Sequence, residues 1–163
     1  MTSHRIIYFG MFGPLSRLPL AALLDAGITI AAVVVPSQTN TSQLAPLRPL
    51  IPPPGQATRP TSFAAMLKQT IVDLAWARGI PALEVTRLAD EAVIAALAAF
   101  APDLIVVSCF PFRFPAKLLA LPRGGVLNLH PSPLPRGRGP DPSSGSSANR
   151  RARATAARAS PPT

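Results

Sequence analysis

One cysteine, one tyrosine and one tryptophan stand in 163 residues. A single thiol, Cys109, excludes a disulfide framework within the chain and a multi-cysteine zinc site, and no metal is expected. It fits a reducing, cytoplasmic setting in which Cys109 packs as a small hydrophobe. Acidic side chains are scarce as well: seven against sixteen Lys and Arg, for a net charge of +9. That excess would suggest nucleic acid or an anionic surface, but it is unevenly spread. Residues 1–142 carry +5, and residues 143–163 carry +4 from four Arg and no acid. Long apolar runs are also missing. The stretch from Ile6 to Val35 is cut by Arg17, Pro19, Asp25 and Gly27, which argues against a membrane span. His4 and Arg5 ahead of "IIYFGMFGPL" could open a secretory leader, but Ile6–Phe9 closed by Gly10 reads better as a first buried strand.

What the chain does have is apolar content, 48%, enough for one domain with a real core. Short apolar runs alternate with helical patterns. "RIIYFGM" precedes "SRLPLAALLDAG", whose leucines and alanines recur at helical spacing and stop at Gly27. Residues 28–35, "ITIAAVVV", are β-branched and apolar throughout, as suits a strand covered on both faces. Seven prolines in residues 36–60 predict a surface loop. A helix is expected over 61–78, with Phe63, Met66, Leu67, Ile71, Leu74 and Ala75 on one side. "GIPALEV" follows as a strand, 88–101 as a helix, "DLIVVSCF" as a strand, "PAKLLAL" as a short helix and "GGVLNLH" as a last strand. Alternation of this kind predicts an α/β fold, a Rossmann-like, mostly parallel sheet with helices on both faces. Ligands of such sheets sit beyond the carboxyl ends of the strands. No internal repeat is evident. "FGMFG" lacks the spacing of a dinucleotide fingerprint, so Gly10 and Gly13 are expected only to permit a tight strand-to-helix loop.

The chemistry concentrates in "GGVLNLHPSPLPRGRGPDP", residues 124–142, where five prolines stiffen a stretch carrying Asn128, His130, Arg136 and Arg138. Side chains repeat every second residue in an extended segment, so Asn128 and His130 share one side while Leu129 faces the core. A carboxamide and an imidazole converging on one cleft can donate hydrogen bonds to a carbonyl oxygen under attack. Taken singly, His130 would suit a structural histidine and Asn128 a strand-end cap. Arg136 and Arg138 suit either an anionic substrate or a solvated loop.

This segment resembles the signature of the folate-dependent formyltransferases: Asn, apolar, His, small residues, Leu-Pro, a basic residue, then Arg-Gly. "APDLIVVSCFPFRFPAKLLALPRGG" resembles the family segment before it, and the N-terminal β-α-β unit fits, so the likeness covers residues 5–142. Arg138-Gly139-Pro140 after Leu134-Pro135-Arg136 is closer to the branch acting on methionyl-tRNA than to the one acting on glycinamide ribonucleotide. The resemblance implies that Asn128 and His130 polarise the formyl group of 10-formyltetrahydrofolate while an amine attacks. It implies folate contacts along Phe110, Pro111, Phe112, Arg113 and Phe114, partly through backbone, a substrate role for Arg136 and Arg138, and initiator tRNA as a partner. It further implies a cis bond before Pro135 and a catalytic Asp several dozen residues beyond the motif, a part that Asp141 is poorly placed to fill.

The remaining segment, "SSGSSANRRARATAARASPPT", has no apolar periodicity and is expected to be disordered. A basic arm for RNA is one reading of it. The other is a reading-frame error or truncation after Pro142, since Ala, Arg, Pro and Ser are what GC-rich codons yield out of frame. Under that reading the chain as written is expected to transfer formyl groups poorly and to expose apolar sheet surface, or to persist as a folate-binding remnant.

Overall fold

Ile6–Gly10 (β1) and Ile30–Pro36 (β2) are the most apolar runs of the chain, and they lie side by side in the middle of a six-stranded sheet. The computed structural model describes residues 4–39, 44–54 and 69–130. The chain divides into two compact units, Met1–Leu129 and His130–Thr163; of the second, only His130 lies among the described residues. The remaining strands are Leu47–Leu50 (β3), Ala82–Val85 (β4), Leu104–Ser108 (β5) and Val126–Leu129 (β6). The sheet order is β3-β4-β2-β1-β5-β6, and every pairing except β3 with β4 is parallel.

Helices cover both faces, as the alternation of patterns predicts. Pro14–Asp25 (α1) and Ile71–Trp76 (α2) bury Leu20, Ile71, Val72 and Ala75 against one face, with Ile6, Tyr8, Val33, Val35 and Val106. Glu91–Ala98 (α3) and Ala116–Leu119 (α4) bury Val93, Leu97 and Leu118 against the other, with Ile7, Phe9, Val34, Ile105 and Val107. The period-two split of each central strand between the two clusters explains why β1 and β2 read as continuous apolar runs. Thr70 begins α2 with a capping box: its hydroxyl accepts from Asp73 N–H while the Asp73 carboxylate accepts from Thr70 N–H.

Two sequence expectations need correction. Residues 36–60 are not loop throughout, because Leu47–Leu50 pairs antiparallel with β4, Arg48 opposite Glu84. Proline was the misleading signal. Pro49 lies on an edge strand, where a missing N–H costs no interior ladder bond, and the Arg48 guanidinium pairs with the buried Glu84 carboxylate to hold that edge in place. The helix expected over 61–78 is found over Ile71–Trp76, and residues 61–68 lie outside the described residues. Among the described residues no helix is long and apolar enough to cross a membrane.

Candidate active site at the carboxyl edge of the sheet

From β1 the chain runs through α1 to β2 on one side, and it later returns through α3 to β5 on the other side of β1. The strand order therefore reverses between β1 and β5, and the crevice beyond their carboxyl ends is where an open parallel sheet receives ligands. Asn128 lies on β6 opposite Val107 of β5, one residue before the strand ends, and it is exposed. By alternation it shares a face with Val126, which packs against the core cluster containing Val107 and Phe9. Leu129 points to the opposite core, as expected. His130 follows the strand directly and is half-buried.

The segment Phe110–Phe114 occupies the same face and edge. Phe110, Phe112 and Phe114 are half-buried and pack on the cluster containing Phe9, whereas Pro111 and Arg113 are exposed. Phe110 is the hub: its ring meets Phe9 at 5.2 Å and 88°, Phe112 at 5.5 Å and 83°, and Phe114 at 6.0 Å and 90°. Phe9 also meets Phe114 at 4.8 Å and 64°. These are edge-to-face arrangements, which add attraction beyond simple area burial. With alternate side chains anchored inward, the segment lies at the sheet edge on a fixed aromatic floor.

What turns the chain from β5 into this segment is Cys109, whose φ of 54° is rare for a residue with a side chain. Cys109 is half-buried, so the expectation of a simply packed small hydrophobe is incomplete: its place is a left-handed corner. Upstream of it, Ser16 and Ser108 are both 1% exposed and bonded to each other's segments. Ser16 Oγ donates to Ser108 O at 2.7 Å and accepts from Met11 N–H at 2.9 Å, and Ser108 Oγ donates to Leu15 O at 3.0 Å. Tyr8 Oη donates to Ser16 O at 2.8 Å. Pro19, inside α1, has no N–H to offer the carbonyl four residues back, which is Leu15. The Ser108 hydroxyl supplies that carbonyl with a donor.

Sequence reasoning missed this pair. The signal was available as a serine on the buried side of an apolar helix, three residues before an interior proline. Gly10 also has a different reason from the tight loop expected of it, since its φ is not positive. A Cβ there would sit 2.9 Å from Ser16 Cβ and 2.9 Å from Ile71 Cδ1, so glycine is required for close approach of α1 to β1. Gly13 has open space around it and serves as the N-cap of α1.

Burial holds the Tyr8 phenol above its ordinary value of 10.0, with a Ser108 hydrogen bond opposing and Cys109 adding to the rise. A raised folded-state value means that this stabilisation is complete below pH 10.0 and is lost as pH climbs through the folded value. Tyr8 is the only tyrosine, so phenolate absorbance reports it alone. In the folded chain that absorbance should appear later in a pH titration than in urea, and Tyr8→Phe should flatten the alkaline loss of stability. Coincident titrations in the two states would overturn the assignment.

Arg136, Arg138, Asp141 and the bond before Pro135 lie outside the described residues. Among the described residues no group of three or more His, Cys, Asp and Glu gathers to hold a metal. A concavity of about 460 Å³ lined by Ile6, Ile28, Thr29, Asp103 and Leu104 lies at the amino ends of β1, β2 and β5, the edge opposite Asn128. Its lining is mainly apolar, with His4, Thr29 and Asp103 as the polar side chains, and the Asp103 carboxylate is engaged by Arg5 N–H.

Residues 6–151 match the formyl transferase family. The methionyl-tRNA formyltransferase of Thermus thermophilus is 33% identical over 128 residues, 78% of this chain and 35% of that enzyme. That of Methylobacillus flagellatus is 43% identical over 78 residues, 47% of this chain and 25% of the enzyme. The chain thus aligns with about a quarter to a third of these relatives' length. Among solved structures, the phosphoribosylglycinamide formyltransferase of Anaplasma phagocytophilum superposes with a TM-score of 0.55 at 19% identity, covering 93% of this chain and 59% of that one. A formyltetrahydrofolate deformylase from Pseudomonas syringae gives 0.54 at 16%, covering 91% and 42%. At such identities the likeness is one of fold, and it is the same Rossmann-like sheet. On the family match and the curated relatives together, the chain belongs to the formyl transferase family.

Proposed function

We propose that the chain carries formyl-transfer chemistry, with 10-formyltetrahydrofolate as donor and the amine of methionyl-tRNA as acceptor. The observation that carries the reading is the position of Asn128, exposed at the carboxyl edge on the same sheet face as the aromatic segment. Family membership supports the reaction class, and the names of the curated relatives favour methionyl-tRNA as acceptor.

In this reading the donor supplies the formyl carbon. The acceptor nitrogen forms a bond to it, the bond to the folate nitrogen breaks, and tetrahydrofolate leaves with a proton originating on the amine. The Asn128 carboxamide and the His130 imidazole donate hydrogen bonds to the formyl oxygen as negative charge grows there, which is how fixed donors lower such a barrier. The Phe110–Phe114 backbone offers N–H and C=O groups to the pterin over its aromatic floor, and Arg136 and Arg138 take the anionic acceptor. The chain's own donor set suits a carbonyl substrate, because an exposed carboxamide on the same sheet face as half-buried aromatic rings offers both polarity and an apolar wall.

The test is a titration of the chain with 10-formyltetrahydrofolate, followed by incubation with labelled donor and either methionyl-tRNA or glycinamide ribonucleotide. Donor binding is expected, with label passing slowly to methionyl-tRNA because the chain spans only part of its relatives' length. Label passing only to glycinamide ribonucleotide would overturn the acceptor, and absence of donor binding would overturn the folate reading.

A further inference from the structure

We propose that Ser16 is a positioning residue for the candidate site, acting with Ser108 as a reciprocal hydroxyl-to-carbonyl clasp that fixes the Phe110–Phe114 backbone; this rests on the folate reading above. Its place in the fold carries the proposal. The clasp joins the first turn of α1 to the last residue of β5, across the β1/β5 switch point at the carboxyl edge of the sheet. It also reaches the loop after β1 through Met11 N–H. Two segments that border the crevice therefore meet at one buried oxygen.

The clasp is closed on every side. Among the described residues no buried side-chain nitrogen or oxygen lacks a partner, and the Ser16 hydroxyl is both donor and acceptor. Gly10 keeps Ser16 within reach, because any side chain there would push α1 away. Directly after Ser108 the chain enters the left-handed corner at Cys109 and then the aromatic hub at Phe110. A corner in a sparsely populated conformation persists only when its neighbours over-determine it. The clasp does this on one side and the phenylalanine cluster on the other. Without the clasp, Ser108 O and Leu15 O lose their hydroxyl donors, and the corner is held from one side only.

The test compares Ser16→Ala and Ser108→Ala with the unaltered chain by titration with 10-formyltetrahydrofolate and by amide hydrogen exchange. Ser16→Ala removes two hydrogen bonds, one to Ser108 O and one from Met11 N–H, of which the first holds the Phe110–Phe114 side, and loss of that one net bond corresponds to roughly a fivefold to tenfold change in a local equilibrium. Ser16→Ala should weaken folate binding by about that factor and speed exchange at Phe110, Phe112, Arg113 and Phe114 by about as much. Exchange at Val33–Val35 of β2 should not change. Unaltered affinity, or faster exchange spread evenly through β2, would overturn the positioning role. Should Ser16→Ala fail to fold, Ser108→Ala leaves the Ser16 hydroxyl in place, removes the bond to Leu15 O and the Ser108 hydroxyl that acts on Tyr8, and is judged by the same two readouts. If the unaltered chain binds no folate, the functional reading fails, and the exchange pattern alone still decides whether the clasp sets the segment.

Discussion

Asn128→Ala is expected to slow formyl transfer by about 100- to 1,000-fold, the usual loss when one fixed donor to a developing oxyanion is removed. The rate is best read in a single turnover with the chain in excess over 10-formyltetrahydrofolate, so that slow transfer still registers. Affinity for the donor should change far less than the rate, because in the proposed reaction the Asn128 bond strengthens only as charge builds on the formyl oxygen. The fold should tolerate the change: Asn128 is exposed at the end of an edge strand and fills no core space. An equal loss in affinity and rate would show that Asn128 merely binds the donor. An unchanged rate would remove it from the reaction altogether.

Gly124→Ala is expected to destabilise the chain by about 2–4 kcal/mol, the combined scale of overpacking and a lost hydrogen bond. A Cβ at this position would lie 2.7 Å from Asp103 O, a backbone atom, and the Gly124 N–H already donates to that same oxygen at 2.6 Å. Asp103 has little freedom to retreat. Its N–H donates to Arg5 O at 2.8 Å, and its carboxylate accepts from Arg5 N–H at 2.8 Å. The strain must fall on the start of β6, the strand that carries Asn128. Gly125 gives a contrasting case: it has φ of 78° and nothing within 4 Å, so Gly125→Ala costs only the left-handed backbone penalty, about 1–2 kcal/mol. Urea unfolding of the two variants should rank Gly124→Ala as the more damaging, and the reverse order would refute this account of the turn.

Much of this architecture is written in local pattern. The apolar run "ITIAAVVV" reads as a strand buried on both faces, which β2 is from Ile30 onward while Ile28 ahead of it is exposed, and the return of helical spacing after each strand implies the parallel sheet. The placement of Asn128 was legible too, because period-two alternation puts it on the side opposite Leu129, and the structure has Leu129 in the other core. The segment around it also carried the family resemblance, which the family match bears out.

Other features depend on partners remote in sequence. β3 is a strand because β4 offers it an edge and Glu84 offers Arg48 a counter-charge, neither of which residues 36–60 reveal by themselves. Gly10 is required by a helix residue six positions on, brought back by the turn of α1. Ser16 and Ser108 are 92 residues apart, and their bond exists only because β5 returns beside β1. Local propensity and periodicity determine which segments become strands and helices. The strand order alone decides which loops share the crevice, because hydrogen bonds between distant segments form only after the sheet has brought them together.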